Sequence, residues 1–173
     1  MTLVVADASP ISYLLILEAG QVLPQLYDRV VIPQTVLAEL THPHAPAVAR
    51  NWASALPDWT EVRTASHIQL EGKLDPGEAE AIALAQELNA DCVLLDDRDA
   101  RREAIGLGLT VAGTIGVLEQ AAERGLIDLP GAFQRLLATN FRIDRRFLED
   151  ALSRDAARKE RQRPRQQDRS IEP

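Results

Sequence analysis

Cysteine occurs once in the 173 residues, at Cys92, so neither an intramolecular disulfide nor a cysteine-based zinc site is available. The three histidines, His42, His44 and His67, have no metal-ligand spacing with any partner. Lysine is confined to Lys73 and Lys159. No apolar run reaches the roughly 18 residues that a bilayer span requires. The N-terminus has neither the basic flank nor the small-residue cleavage site of a secretory signal, and the expectation is a soluble, cytoplasmic protein with no membrane partner. Phosphate-binding glycine motifs are missing as well. There is no G-x-x-x-x-G-K-[ST] and no G-x-G-x-x-G between a strand and a helix, and the Gly106/Gly108 pair reads as a helix end and turn. These absences set aside disulfide scaffolds, zinc modules and both common nucleotide-binding loops.

What is present is enough apolar material for one core, since 46% of the residues are hydrophobic. The charge is unevenly placed within a net value of −7. Residues 154–173 carry seven basic and four acidic side chains, leaving 12 basic against 22 acidic in residues 1–153. The expectation is a domain over 1–153 at −10, followed by a basic tail at +3 that is a frayed helix end or disordered. Such a body repels polyanions, so any nucleic-acid role requires local arginines or bound cations.

The pattern of the chain alternates strands with helices. LVVA (3–6), RVVI (29–32), CVLL (92–95) and LTVAG (109–113) read as strands, and WTEVR (59–63) as a short strand or extended link. Helices are expected from Ser9-Pro10, read as N-cap and first-turn proline, to near Gly20, and then over PQTVLAEL (33–40) and 45–56. The run beginning LDPGE (74–78) carries Asp75 as N-cap and Glu78 at the third helical position. Further helices are expected over 98–107, over GTIGVLEQAAERG (113–125), and near 130–139 and 144–156. Strands that are apolar throughout and interleaved with helices predict an α/β fold, with a parallel sheet covered on both faces.

Ligands of such sheets sit at the carboxyl ends of the strands, where this chain places Asp7 after the first and Asp96-Asp97 after the fourth. Acids brought within about 4 Å repel by roughly 4 kcal/mol per pair at an effective dielectric near 20. Protonation, arginine partners or a divalent cation must relieve this, and an all-oxygen cluster suits Mg²⁺ or Mn²⁺. A phosphoacceptor receiver would need a lysine after a late strand, where none stands. An aspartate-nucleophile phosphatase would need an acid in place of Ser9.

Five segments in order, VVADASPISYL (4–14), VLAEL (36–40), LDPGEAEAIALA (74–85), VLLDDRDAR (93–101) and VAGTIGVLEQAAERG (111–125), resemble the PIN-domain family of metal-dependent ribonucleases. That family includes the toxins of VapC-type toxin–antitoxin pairs. The resemblance covers about residues 2–127 and is closest to a subfamily with L-D-x-G-E and L-L-D-D-R motifs. It implies a three-layer PIN-like sandwich and Mg²⁺- or Mn²⁺-dependent hydrolysis of RNA to 5′-phosphate and 3′-hydroxyl ends. It also implies a possible antitoxin that inserts a basic segment, and a homodimer. Asp7, Glu39, Glu78 and Asp97 would be catalytic and metal-binding, with Asp96 as an additional ligand, because both acids stand where the family usually has one. Ser9 and Thr114 would be hydroxyls at the rim, and Arg98, Arg101 and Arg102 would meet the RNA backbone.

Each residue also has a plainer reading. Glu78 completes a capping box, Asp7 and the Asp96-Asp97 pair suit helix N-caps, and Ser9 and Thr114 are common caps. Glu39 would otherwise be an ordinary solvated helix residue, and the arginines of 98–102 a helix face paired with Asp99 and Glu103. On that view the protein is a non-catalytic PIN-like module binding RNA or protein.

Overall fold

The computed structural model describes residues 1–70 and 72–162. The chain runs β1 (Leu3–Ala6), α1 (Ala8–Ile16), α2 (Leu23–Leu26), β2 (Arg29–Pro33), α3 (Gln34–Thr41), α4 (Ala47–Ser54), β3 (Thr60–Arg63) and α5 (Pro76–Glu87). It continues through β4 (Cys92–Leu94), α6 (Arg98–Gly106), β5 (Val111–Ala112), α7 (Thr114–Glu123), α8 (Leu129–Leu137) and α9 (Arg145–Gln162). All strand pairs are parallel, in the order β3-β2-β1-β4-β5. The chain works outward from β1 to β3 and then returns to the other side of β1, so the strand order reverses between β1 and β4. A crevice opens at the carboxyl ends of strands at such a point.

Side-chain alternation along the strands fills two cores. Val4, Ala6, Val30, Ile32 and Leu94 point into the larger layer with Leu14 of α1, Val36 of α3, Leu118 of α7 and Phe133 of α8. Leu3, Val5, Val31, Val93 and Leu95 point the other way, onto Ile82 and Leu84 of α5 and Ala100 and Ala104 of α6. The expected three-layer α/β sandwich is the architecture observed. Among the described residues no helix is long and apolar enough to cross a membrane.

Three local expectations are revised. The N-cap of α1 is Asp7, and Ser9-Pro10 lie inside the first turn, where proline is tolerated because the first helical amides have no intrahelical acceptor. The same helix stops at Ile16, short of Gly20, and the chain turns through Glu18 at φ 57° before the short α2. The last helix continues past 156 to Gln162. There Asp155, only 4% exposed, pairs with Arg158 and Lys159, while Arg158 Nη1 donates to the Ala122 carbonyl at 2.7 Å and Arg154 pairs with Glu119. These contacts fasten α9 to α7. The rest of the expected tail, 163–173, lies outside the described residues.

Candidate active site

Register brings the acids together. Ala6 of β1 is level with Leu94 of β4, and Leu94 with Ala112 of β5. Asp7, Asp96 and Thr114 therefore leave the sheet within about two residues of a common level. The N-termini of α1, α5, α6 and α7 gather at this edge, and their positive dipole ends favour negative charge there.

Asp7 is 5% exposed and its side chain makes no capping hydrogen bond to α1. Burial pushes its pKa up from 3.8 to about 7, the Ala8 and Ser9 amides pull against this, and the charges of Glu39 and Asp96 add to the rise. Glu39 comes from α3 and accepts from the Gly77 amide at 3.1 Å; burial and then Asp75 raise its pKa against the pull of that amide. Glu78, at the first turn of α5, closes a capping box with Asp75, accepting from the Asp75 amide at 3.3 Å. Burial, followed by the charges of Asp7 and Asp97, takes Glu78 up to about 7. Asp7, Glu39, Asp75 and Glu78 line one cleft of about 300 Å³ with Ser9 and Ser12.

The adjacent acids Asp96 and Asp97 have different tasks. Asp97 is the N-cap of α6, its Oδ1 accepting from the amides of Asp99 and Ala100 at 2.8 and 3.0 Å. Asp96 is half-buried and held by α1 and α7. Its Oδ1 accepts from the Thr114 amide at 2.7 Å, and its Oδ2 from Thr114 Oγ1 at 2.7 Å and Ser9 Oγ at 3.1 Å. The hydroxyls of Ser9 and of the fully buried Thr114, expected at the rim, both donate to Asp96 and aim it. Arg101 is likewise committed, donating to the Leu95 carbonyl at 2.9 Å, and Arg102 pairs with Asp99. Arg98 remains exposed at the start of α6.

Two glycines allow the close approach. A Cβ on Gly77 would sit 2.5 Å from Glu39 Oε1 and 3.1 Å from Asp7 Oδ1, and one on Gly113 would sit 2.8 Å from Asp96 Oδ1. Among the described residues, no Arg or Lys forms an ion pair with Asp7, Glu39, Glu78, Asp96 or Asp97. Nor, among them, do three Asp, Glu, His or Cys side chains converge tightly enough to hold one ion as they stand.

A further acid emerges only in three dimensions. Glu80 of α5 is 2% exposed; its Oε2 accepts from the Thr35 amide and hydroxyl at 3.0 and 2.5 Å, and its Oε1 from the Ala65 amide at 3.0 Å. Thr35 lies in the first turn of α3, whose N-cap is Pro33, which offers no side-chain acceptor. Glu80 supplies the missing cap from another helix, and with the Glu39–Gly77 bond it ties α3 to α5 at two points. Glu80→Ala would strand these donors, and an equilibrium urea melt should show a loss of about 2–4 kcal/mol.

Comparison with known proteins adds three findings. A family model described as a PIN domain matches residues 3–156. No curated protein matches the chain. Among solved structures it is similar to a PilT N-terminus domain protein from the hyperthermophilic archaeon Sulfolobus solfataricus P2. The two are 21% identical, the match covers 67% of this chain and 90% of that one, and the TM-score is 0.49.

Proposed function

The chain is a member of the PIN-domain family, and on that premise we propose that it is a divalent-metal-dependent endoribonuclease, the toxin of a VapC-type toxin–antitoxin pair. The observation that carries the nuclease reading is that Asp7, Glu39 and Glu78 line one cleft, with the charge of Asp96 near enough to raise the Asp7 pKa, and that among the described residues none of these acids has a paired cation from the protein. Asp7 is the sharpest test of fit. A carboxyl group whose burial, together with the acids around it, outweighs the pull of the Ala8 and Ser9 amides ionises at neutral pH only at a cost that a cation would offset.

Asp7, Glu39, Glu78 and Asp96 would hold Mg²⁺ or Mn²⁺ through oxygen, the donor type both ions favour. The ion, when bound, supplies an acidified water and neutralises charge on the phosphate. The chain's own contribution is positional. Ser9 and Thr114 fix Asp96, Gly77 holds Glu39, and Glu80 sets the angle of α3. Asp97 stands at the edge with Oδ1 engaged in the cap. An antitoxin contributing a basic side chain would suit the same acidic cleft.

The second reading, a non-catalytic RNA- or protein-binding module, draws on the wide spacing of the carboxylates and the capping roles of Glu78 and Asp97. Calorimetric titration of the full chain with Mn²⁺, with and without subsequent EDTA in an RNA-cleavage assay, separates the two. The nuclease reading expects saturable binding and cleavage that EDTA abolishes. Absence of binding together with absence of cleavage in Mn²⁺ would overturn it in favour of the module.

A further inference from the structure

Resting on the ribonuclease reading, we propose that the segment joining α8 to α9 and the first turn of α9, residues 140–147 (NFRIDRRF), is the single-stranded RNA subsite beside the acid cluster. Arg142 and Arg145 are its phosphate contacts, and Phe147 is a surface for a base. The acid cluster itself has no cation from the protein to hold a polyanion, so the backbone of an RNA strand must be gripped elsewhere on the rim.

The segment is joined to the site through α1. Ser9 and Tyr13 lie four residues apart on that helix and so share a face. Ser9 Oγ bonds Asp96, and Tyr13 hydroxyl donates to Asn140 Oδ1 at 2.9 Å. The Tyr13 ring meets Phe141 edge-on, with centroids 4.7 Å apart. Tyr13 also feels Asp96 directly, since burial and then that carboxylate's charge raise its pKa. One helix face thus connects Asp96 to Asn140 and Phe141.

Charge favours this segment over the arginines nearer in sequence to the acids. Residues 140–147 contain three arginines and one aspartate. Asp144 is taken by Arg146 at 3.1 Å, whereas Arg142 and Arg145 are exposed and make no ion pair among the described residues. On α6, Arg101 and Arg102 are already engaged, which leaves Arg98 as a single exposed arginine there against the pair Arg142 and Arg145. On α9, Arg154, Arg158 and Lys159 are engaged too. Phe147, 65% exposed one turn into the same stretch, offers a face on which any base can stack, a contact indifferent to sequence.

The test uses the full chain carrying Asp7→Asn to stop cleavage, a fluorescein-labelled single-stranded RNA of mixed sequence, Mg²⁺, and anisotropy titrations over a salt series. Adding Arg142→Ala with Arg145→Ala should weaken binding about tenfold and reduce the salt slope by about 1.4, roughly 0.7 per lost phosphate contact on a single strand. Adding Phe147→Ala should weaken binding about tenfold with the slope unchanged. Unaltered affinity and slope in the arginine variant, or their loss on Arg98→Ala instead, would overturn the proposal. The parent nuclease reading is scored separately by Mn²⁺ calorimetry and cleavage with residue 7 as aspartate. If that protein cleaves RNA and the arginine changes leave its KM untouched, the subsite falls and the nuclease stands. If it binds Mn²⁺ but no RNA, both fall.

Discussion

Asp7→Asn is expected to raise the melting temperature near pH 8 while reducing RNA cleavage by about 100- to 1,000-fold, the scale of removing one preorganised electrostatic group from an active site. The sign follows from linkage. A carboxyl whose folded pKa of about 7 exceeds its intrinsic 3.8 makes the folded state bind more protons between those values. Stability from this group is therefore complete below about pH 4 and is lost as pH climbs toward 7 and beyond. The full displacement corresponds to roughly 4 kcal/mol, and relaxation around the charge should leave about 1–3 kcal/mol, or ~3–10 °C. Asparagine does not titrate and is a competent N-cap. Scanning calorimetry of both proteins should show the gap near pH 8 narrowing steadily toward about pH 4. A gap of constant size, or a less stable variant near pH 8, would mean that Asp7 is not a strained anion.

Asp96→Asn and Asp97→Asn should have opposite profiles although the residues are neighbours. At 96 Oδ1 accepts from the Thr114 amide and Oδ2 from the Thr114 and Ser9 hydroxyls, so an amide nitrogen in place of Oδ2 obliges both hydroxyls to turn and accept and gives up the charge that strengthens these bonds. The expected cost is about 1–3 kcal/mol, with cleavage again lower by about 100-fold or more. At 97 asparagine preserves the cap on α6, and stability should stay within about 0.5 kcal/mol with most activity retained. Urea melts beside initial cleavage rates check both. Retained activity in Asp96→Asn with loss in Asp97→Asn would transfer the working role to Asp97, acting through the oxygen not used in the cap.

This pair also marks the limit of what the sequence makes legible. The strands and α5 can be read locally, because apolar runs, the Asp75-Pro76 start and Glu78 are signals within a few residues. The gathering of Asp7 with Asp96-Asp97 at one edge can be inferred from strand ends alone. Which of the two neighbours turns inward cannot, since that depends on β5 setting Thr114 alongside β4. Glu80 is less legible still. In an alanine-rich helix it looks like a solvated face, and what buries it is the uncapped start of α3, 45 residues earlier. The usable signal is Pro33 at an N-cap, which obliges the helix to find an acceptor from outside. The end of α9 is hard to read for a related reason: its arginines look like tail chemistry until Asp155, Glu119 and the Ala122 carbonyl are placed around them.

Those contacts connect α9 to a cleft that it does not line. The helix grips the body of α7 through Glu119 and Ala122, and α7 begins at Thr114, whose amide and hydroxyl aim Asp96. Helix α9 is therefore joined to Asp96 through a single intervening helix. The last helix is thus a brace laid along the element whose first residue, Thr114, aims Asp96.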